Sequence, residues 1–338
     1  MPTTVTSSIG TSGRTYSTWN SWEDATDIDL VTADEVHVGE CYNDSEFAEA
    51  CVMAGATTDA TRYRHLTTAA GHSFADHADK LTNPLRYDRS KGVGNSFTGS
   101  YNDGALQIFE AHSRASKLQI RTTSGSAQPL RVGNANQVSQ LILDGNSASK
   151  ALISSVDTAG ASFTNIAGIR RAASGSAGMC HLYVGGTVQN CTFAVPSDVT
   201  VTTNGITTSY GSSLTVRNCA VYGVTNATSG AGITATACYT NASSPPSGWT
   251  NTAYDTSTGS GFEGITAAGM DLRIKSTSAL KDAGSSTGAP AIDIVGTTRT
   301  GSIDVGCWEV VAAAGGGGGW LHLPALARSV LAHGRLAA

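Results

Sequence analysis

The stretch Val188-Gln189-Asn190-Cys191-Thr192-Phe193 returns in the next part of the chain as Val216-Arg217-Asn218-Cys219-Ala220-Val221. In a solenoid of parallel strands, the valine and the cysteine of each copy would point inward and stack on their equivalents in the next coil. The two asparagines would sit where their amides bond along the stack and satisfy the backbone of a bend. Chance similarity between two strands of a β-sandwich is the alternative. The predicted inter-coil stacking residues are Asn190, Asn218, Cys191 and Cys219.

Short apolar runs separated by Gly, Ser, Asn and Thr extend this pattern from about residue 105 to residue 265. Their starts recur at intervals of roughly 19 to 28 residues, which is the range of solenoid repeats, and none is long enough for a helix. The runs are Leu118–Ile120, Leu141–Leu143, Phe163–Ile166, Val188–Phe193, Leu214–Val221 and Thr236–Tyr239. We therefore predict an all-β fold in which residues 105–265 form the coils of a parallel β-helix.

The composition favours many turns and short strands. The 338 residues include 39 glycines, and only 14% are charged, which argues against an all-α fold. The formal charge of −5 and the pI near 5.9 give no broad basic surface, so we expect no nucleic-acid partner. No apolar stretch of about 18 residues is present, so no membrane span is predicted.

The first residues and the cysteines indicate in which cellular compartment the protein is made. Met1–Ser8 lacks the basic region and apolar core of a signal peptide, so we expect synthesis in the cytoplasm, with any exit by a route other than the general secretory one. The seven cysteines are odd in number and contain no C-x-x-C pair. This pattern argues against a disulfide framework and a zinc site, and favours buried cysteines.

Residues 1–104 are the richest in charge and aromatic side chains, and we interpret them as an N-terminal capping region. Within them, Thr18–Ala25 predicts a short helix, because Thr18 or Ser21 can serve as its N-cap. Glu35–Tyr42 alternates apolar and polar residues, which predicts a half-buried strand.

The later part of the chain carries a family resemblance. Asp271–Gly284, followed by Ile303–Glu309, resembles the closing segment of right-handed parallel β-helix (pectate-lyase-like) proteins, in which D-x-R-L and S-P-A-x-D-A-G precede D-I-G-A-Y-E. Ser278-Ala279-Leu280 departs from the usual Ser-Pro-Ala. Tyr16–Ala25 is also similar to the start of β-helix proteins encoded by phages and prophages. The resemblance implies a right-handed solenoid closed by residues 266–311, and fold resemblance alone carries no function.

Residues 312–338 form an appendage. The glycines Gly315–Gly319 predict a flexible linker, and an apolar helix with Pro324 in its first turn would follow. A short tethered helix cannot bury its own face, so it should dock on an assembly, on the solenoid body or, least favoured, on a membrane surface. Disorder of the peptide is a further alternative. The predicted anchor residues are Trp320, Leu321, Leu323, Leu326, Val330 and Leu331.

The sequence offers no dense set of catalytic groups. Cleavage of polysaccharides needs paired carboxylates, or a carboxylate and calcium site beside a basic residue. The acidic residues between 105 and 260 are scattered over different coils, mostly beside turn-forming residues: Glu110, Asp144, Asp157, Asp198 and Asp255. His65, His72 and His77 match no metal-ligand spacing, and no nucleophile elbow or phosphate-binding loop occurs. We therefore predict no catalytic, metal or cofactor site.

Two functions remain open. The first is a non-enzymatic virion protein, made in the host cytoplasm, that acts as a head fibre, decoration protein or tail spike of a phage-like particle. Its partners would be two further copies in a homotrimer, other virion proteins bound through the C-terminal peptide, and a host surface glycan. The second is a polysaccharide depolymerase or lyase built on the same solenoid.

Overall fold

The computed structural model describes residues 1–99, 104–124, 126–147, 150–156, 160–172, 178–183, 185–200, 203–209 and 213–311. These residues form a parallel β-solenoid, so the prediction of an all-β parallel solenoid is confirmed. Helices are few and short. They are α1 (Trp19–Ala25), α2 (Leu30–Ala33) and a 3₁₀ turn at Arg89–Lys91.

The solenoid has three faces, and its strands are numbered in chain order. The first face contains β1 (Thr3–Ile9), β2 (Glu35–Cys41), β4 (Arg64–Thr68), β7 (Arg114–Ser116), β14 (Gly186–Gln189), β17 (Leu214–Arg217) and β20 (Ile233–Thr236). The second face contains β5 (Gly94–Phe97), β8 (Gln119–Thr122), β15 (Thr192–Ala194), β18 (Ala220–Tyr222), β21 (Cys238–Thr240) and β22 (Trp249–Asn251). The longer strands β10 (Gln137–Gly145) and β12 (Ala161–Arg170) run through both faces.

The third face has seven strands, all in parallel pairs. They are β3 (Cys51–Met53), β6 (Gly104–Ile108), β9 (Gln128–Val132), β11 (Ile153–Ser155), β13 (Cys180–Leu182), β16 (Asn204–Thr208) and β19 (Asn226–Ser229). Along the first face, the register pairs the successive positions Ser116, Ser139, Thr164, Gln189, Arg217 and Thr236. The spacing of these positions matches the coil interval predicted from the sequence.

A residue in the left-handed conformation makes the bend between the first and second faces. Asn190 and Asn218 have φ of 49° and 50°, and the equivalent residues of neighbouring coils share this geometry. Asparagine tolerates this region better than most residues because its short polar side chain can bond locally. The full column is Lys117, Gln140, Asn165, Asn190, Asn218 and Ala237.

The interior is filled by apolar columns on either side of this bend. Val138, Phe163, Val188 and Val216 stack on the inner side of the first face. The residue after each left-handed position also points inward, and in three successive coils it is a buried cysteine. These three are Cys191, Cys219 and Cys238.

The first coils begin well before residue 105. Strands β1, β2 and β4 pair in the first face, and β3 ends the third face. The predicted helix and strand of this region are confirmed as α1 and β2. Helix α1 packs beside β3 and buries Trp22 against Gly39, where a Cβ would lie 2.7 Å from the indole. The helix therefore covers the side of β3 that no strand pairs with.

The chain leaves the solenoid after β22 and packs along its side. It forms the antiparallel pair β23 (Phe262–Gly264) and β24 (Asp271–Ile274), and then runs along the bend column. The amide of Asn218 bonds to Ser285, and those of Asn165 and Gln140 bond to the carbonyls of residues 292 to 294. The segment 266–311 is thus held to successive coils by their bend residues.

A second apolar core lies between the second face and this outer layer. Ile142, Ile169 and Tyr222 project outward from the second face and are buried by Leu272 and Trp308 of the C-terminal segment. An insertion of residues 69–93, between β4 and β5, contributes further apolar side chains. They are Phe74, Ala75, Leu85 and Tyr87. The second face is thus buried on both sides, which explains uninterrupted apolar runs such as Leu141–Leu143.

Candidate functional site

Three arginine side chains from distant parts of the chain line one groove at the edge of the second face. They are Arg86 of the insertion, Arg121 of β8 and Arg171, which follows β12. The groove has a volume of about 500 Å3. Its other lining residues are Tyr87, Thr122, Thr123, Asp144, Asn146, Ala267 and Ala268. We call this set the arginine groove.

The register of three strands aligns the floor of the arginine groove. Ser96 of β5, Arg121 of β8 and Asp144 of β10 lie opposite one another in successive coils. Because side chains alternate along a strand, Ile120 and Leu143 point into the core and the three polar residues point outward. The fold therefore fixes the position of Arg121 along the solenoid axis.

Arg171 is held by two contacts at the back of the groove. Its Nε lies 2.6 Å from Oδ1 of Asp144, whose side chain is only 4% exposed. Its Nη1 donates to the carbonyl oxygen of Ala267 at 2.6 Å. The guanidinium thus bridges the solenoid and the C-terminal segment, and the carboxylate of Asp144 is neutralised.

Arg121 is held between a hydroxyl group and an aromatic ring. Its Nε and Nη2 atoms donate to Oγ of Ser96 at 3.1 and 2.9 Å, and its Cζ lies 4.5 Å from the centre of the Tyr87 ring. Its Nη2 is 3.6 Å from Oε1 of Glu46, at the rim of the groove. These contacts fix the plane of the guanidinium.

Arg86 and Tyr87 enter the groove from the insertion, which is tied to both neighbours. The amide of Leu85 donates to Asp271, and Nη1 of Arg86 donates to the carbonyl of Ala268 at 2.7 Å. The Tyr87 hydroxyl donates to the carboxylate of Glu46. Burial, and secondly this bond to Glu46, raises the pKa of Tyr87 far above its usual range. The phenol is therefore a hydrogen-bond donor at neutral pH and not a base.

The arginine groove offers fixed donors for an anion and no free pair of carboxylates. Nε and Nη2 of Arg86, Nη1 of Arg121 and Nη2 of Arg171 make no hydrogen bond to any residue that the structure describes. Guanidinium groups bind carboxylate, phosphate and sulfate oxygens through two parallel bonds. Asp144 and Glu46 each have a partner already, so the groove suits binding of anions better than acid–base chemistry.

Another pocket, of about 360 Å3, lies on the third face beside His181, Thr207 and Ser209. Nε2 of His181 is 2.9 Å from Oγ of Ser209, and its ring stacks on Tyr183 at 4.7 Å. Burial lowers the pKa of His181. No carboxylate lines the pocket within the described parts of the chain, so this pair lacks the third group that orients a catalytic histidine.

The predicted stacking residues lie together in neighbouring coils. Asn218 donates from Nδ2 to Oδ1 of Asn190 at 3.3 Å, and the thiols of Cys191 and Cys219 point to backbone carbonyls within the same stack. The predicted anchor residues lie outside the described residues. They are Trp320, Leu321, Leu323, Leu326, Val330 and Leu331.

The scattered carboxylates have separate roles within the fold. Glu110 pairs with the buried Arg64, and Asp144 pairs with Arg171. Asp198 accepts a bond from the amide of Ala267, and Asp255 accepts amide bonds within its own turn. Only Asp255 therefore has the purely local turn role expected from the sequence, and Asp157 lies outside the described residues.

The histidines of the N-terminal region do not converge. His65 bonds to Ser116, His72 accepts from the amide of Asn43, and His77 accepts from the amide of Asp79. Across the residues that the structure describes, no group of three or more His, Cys, Asp or Glu side chains could hold a metal ion. In the same residues, no helix is long and apolar enough to cross a membrane.

Comparison of the chain with protein-family models, curated proteins and solved structures finds no match. The arginine groove was not expected from the sequence, because its arginines lie far apart along the chain and belong to no recognised motif. The only local signal is the alternation of Arg121 with Ile120 and of Asp144 with Leu143. This alternation predicts that the two charged side chains face outward from their strands. It does not predict which other segments of the chain pack over them.

Proposed function

We propose that this chain is a non-enzymatic virion structural protein, a head fibre, decoration protein or tail spike of a phage-like particle. In this proposal it is made in the host cytoplasm and assembled into the virion, where it serves in attachment or decoration. A right-handed, pectate-lyase-like solenoid supplies a rigid body for that role. The motif resemblance at both ends of the chain and the parallel solenoid architecture support the proposal.

The observation that carries the non-enzymatic part is the state of the carboxylates. Asp144, the carboxylate that lines the arginine groove, is buried against Arg171, and Glu46 at the rim accepts the Tyr87 hydroxyl. Glycoside cleavage needs a carboxyl group that can donate a proton and a second that attacks or activates water. Neither role suits a carboxylate that already neutralises an arginine or accepts a hydrogen bond from a tyrosine hydroxyl.

A depolymerase or lyase is the competing function, and a turnover assay separates the two. The full chain is incubated with host capsular and cell-wall polysaccharides, and new reducing ends and unsaturated products are measured against a known depolymerase. We expect no product above the protein-free control. Clear turnover that disappears in Asp144→Asn would overturn the non-enzymatic proposal.

Attachment to the particle is proposed to run through the C-terminal peptide. Among the described residues, two apolar cores that include Val216 and Trp308 hold the solenoid and its C-terminal segment together, so we expect the solenoid to stay folded when residues 315–338 are removed. We expect the truncated chain to keep the circular dichroism spectrum and melting temperature of the full chain but to be absent from purified particles. Incorporation at the level of the full chain would show that the peptide is not the anchor.

Self-association is the last part of the proposal. The first face is a parallel sheet with a polar outer surface, and rods of this shape can associate side by side about a threefold axis. Size-exclusion chromatography with light scattering should give about three times the chain mass of 34.5 kDa. A monomer at micromolar concentration would contradict the homotrimer.

A further inference from the structure

We propose that the arginine groove binds a saccharide chain that carries acidic groups. This inference deepens the proposed attachment function, on which it rests, because it names the ligand class and the residues that recognise it. Arg86, Arg121 and Arg171 supply the charge, and Thr123 and Asn146 supply neutral polar groups.

The arginines are positioned before any ligand arrives. Each donates at least one hydrogen bond to a fixed acceptor. Arg86 donates to the carbonyl of Ala268, and Arg121 donates to Ser96. Arg171 donates to Asp144 and to the carbonyl of Ala267. The remaining N–H groups have no acceptor among the described residues and face the groove. A ligand that binds there avoids much of the entropy loss of ordering long side chains.

The charge of the groove contrasts with that of the whole protein. The chain has a formal charge of −5, yet the described residues that line the groove include three arginines and one acidic residue, Asp144. Asp144 faces Arg171 and is covered by it, and Glu46 lies at the rim. The solvent side of the groove is therefore positive, which favours an anion.

The size of the arginine groove favours an extended ligand with more than one acidic group. Arg121 lies opposite Asp144 in the next coil, and Arg171 follows β12 one coil further on. The guanidinium group of Arg171 reaches back to Asp144, so it lies about one strand spacing, about 4.8 Å, from the coil of Arg121. The groove of about 500 Å3 that these residues line with Arg86 is much larger than a single phosphate or sulfate ion, whereas successive sugars of one chain can occupy it.

A saccharide suits the groove better than an acidic peptide. Peptides usually bind to a free sheet edge or to deep apolar pockets. The floor here is the outer surface of strands that are already paired, and its only small apolar side chains are Ala267 and Ala268. Hydroxyl, amide and guanidinium groups dominate the lining, and these match the hydroxyl and carboxylate groups of an acidic sugar.

The test is isothermal titration calorimetry of the full chain with hexasaccharides of three kinds. Oligogalacturonate carries carboxylates, a heparin hexasaccharide carries sulfates, and maltohexaose is neutral. We expect binding of one or both acidic oligomers, with an affinity that falls as salt rises, and no binding of maltohexaose. Equal binding of maltohexaose, or of a poly-glutamate peptide of the same charge, would overturn the proposal. Inorganic sulfate that binds as tightly as the acidic oligomers would also overturn it.

Matched variants assign the binding to the groove. Arg86→Gln and Asn146→Asp are expected to weaken binding of the acidic oligomer about tenfold or more, because one removes a donor and the other adds a repelling charge. Arg217→Gln, on the first face, makes the same charge change as Arg86→Gln and should leave the affinity unchanged. Melting temperatures check that all three fold. If both groove variants bind like the native chain, the groove is not the site.

The groove proposal and the virion proposal fail in different ways. Particle incorporation is measured with Arg86→Gln, which leaves residues 315–338 intact. A variant that enters particles but no longer binds the acidic oligomer supports both proposals. Loss of incorporation with intact oligomer binding would assign Arg86 to assembly and overturn its role in saccharide binding.

Discussion

Asn218 donates from Nδ2 to Oδ1 of Asn190 in the preceding coil at 3.3 Å, and both residues have a left-handed backbone. Asn218 also exchanges two bonds with the backbone of Ser285, each 2.8 Å long. One side chain thus bends its own coil, binds the coil before it and holds the C-terminal segment against the solenoid.

Replacing Asn218 should therefore destabilise the fold by two separable effects. Asn218→Gly loses three side-chain hydrogen bonds of about 1 kcal/mol each but keeps the left-handed backbone free of strain. Asn218→Ala loses the same bonds and adds about 1 kcal/mol of backbone strain. We expect the free energy of unfolding in urea to fall by about 2 to 3 kcal/mol for the glycine variant and by about 1 kcal/mol more for the alanine variant.

The control for this series is Asn226→Ala. Asn226 is exposed on the third face and makes one side-chain bond, to Asn204 at 2.9 Å. Its loss should cost less than about 1 kcal/mol. If the Asn218 variants lower the free energy of unfolding no more than this control does, the asparagine column does not stabilise the solenoid.

The sequence reveals the bend column only where asparagine fills it. Val188–Phe193 and Val216–Val221 share the same pattern, so two coils and their approximate length can be predicted. The same bend is made by Lys117, Gln140 and Ala237, whose side chains give no hint of a left-handed backbone. At those coils, the pairing of the strands before and after the bend imposes the left-handed conformation on the residue between them. No pattern in the sequence reports this effect.

The arginine groove could not be predicted because three separate chain segments build it. Arg121 is visible as an outward charge on a strand, but the insertion that brings Arg86, residues 69–93, has no periodic pattern. Arg171 becomes part of a groove only because residues 267 and 268 of the C-terminal segment pack beside it. That packing depends on the second apolar core, whose side chains come from several coils, the insertion and the C-terminal segment.

The buried ion pairs around Arg64 predict a large loss of stability when the arginine is removed. Arg64 is fully buried and pairs with Glu110 and Glu23, its Nη2 lying 2.9 Å from Oε1 of Glu23. Arg64→Met would leave two buried carboxylates without a cation, which should cost about 3 to 5 kcal/mol. The loss is measured by urea unfolding at pH 7.

Arg62→Met is the matched control for the buried pair. Arg62 pairs with Asp34 and Asp59 at the surface, and such exposed pairs contribute about 1 kcal/mol or less. If Arg64→Met lowers the free energy of unfolding no more than Arg62→Met does, the two buried carboxylates must become hydrated or protonated easily.

His65 predicts a loss of stability in acid. Burial, followed by the positive charges of Arg114 and Lys117, lowers the pKa of His65 to about 4. An unfolded histidine has a pKa near 6.5, so the unfolded state binds the extra proton first. The contribution of the neutral imidazole is therefore fully present above pH 6.5 and is lost as the pH falls towards 4.

His65→Gln should remove this acid sensitivity, because a glutamine amide takes up no proton between pH 7 and pH 4. The amide can still bond to Oγ of Ser116, which lies 2.9 Å from Nε2 of His65 in the native chain. Between pH 7 and pH 4, we expect the native chain to lose about 2 kcal/mol more than the variant. His77→Gln, which changes a more exposed histidine, is the matched control for exchanging an imidazole for an amide. Parallel curves for the native chain and His65→Gln would contradict the prediction.

The cysteine stack predicts that the native protein resists thiol reagents. All seven cysteines are buried, and burial raises the pKa of several of their thiols, to about 12 for Cys307. The thiolate is the reactive form, so burial opposes the reaction at all seven sites, and ionisation also opposes it at the thiols whose pKa is raised. We expect the disulfide reagent DTNB to label no thiol in the native protein within minutes at pH 8 and to label all of them in guanidinium chloride. Because Cys219 lies directly beside Asn218, Asn218→Gly should speed the slow native labelling to the extent that it lowers the free energy of unfolding, and Asn226→Ala should speed it much less. A single thiol that reacts fast in the native chain, at the same rate in both variants, would show that the coil interior opens locally without breaking the asparagine column.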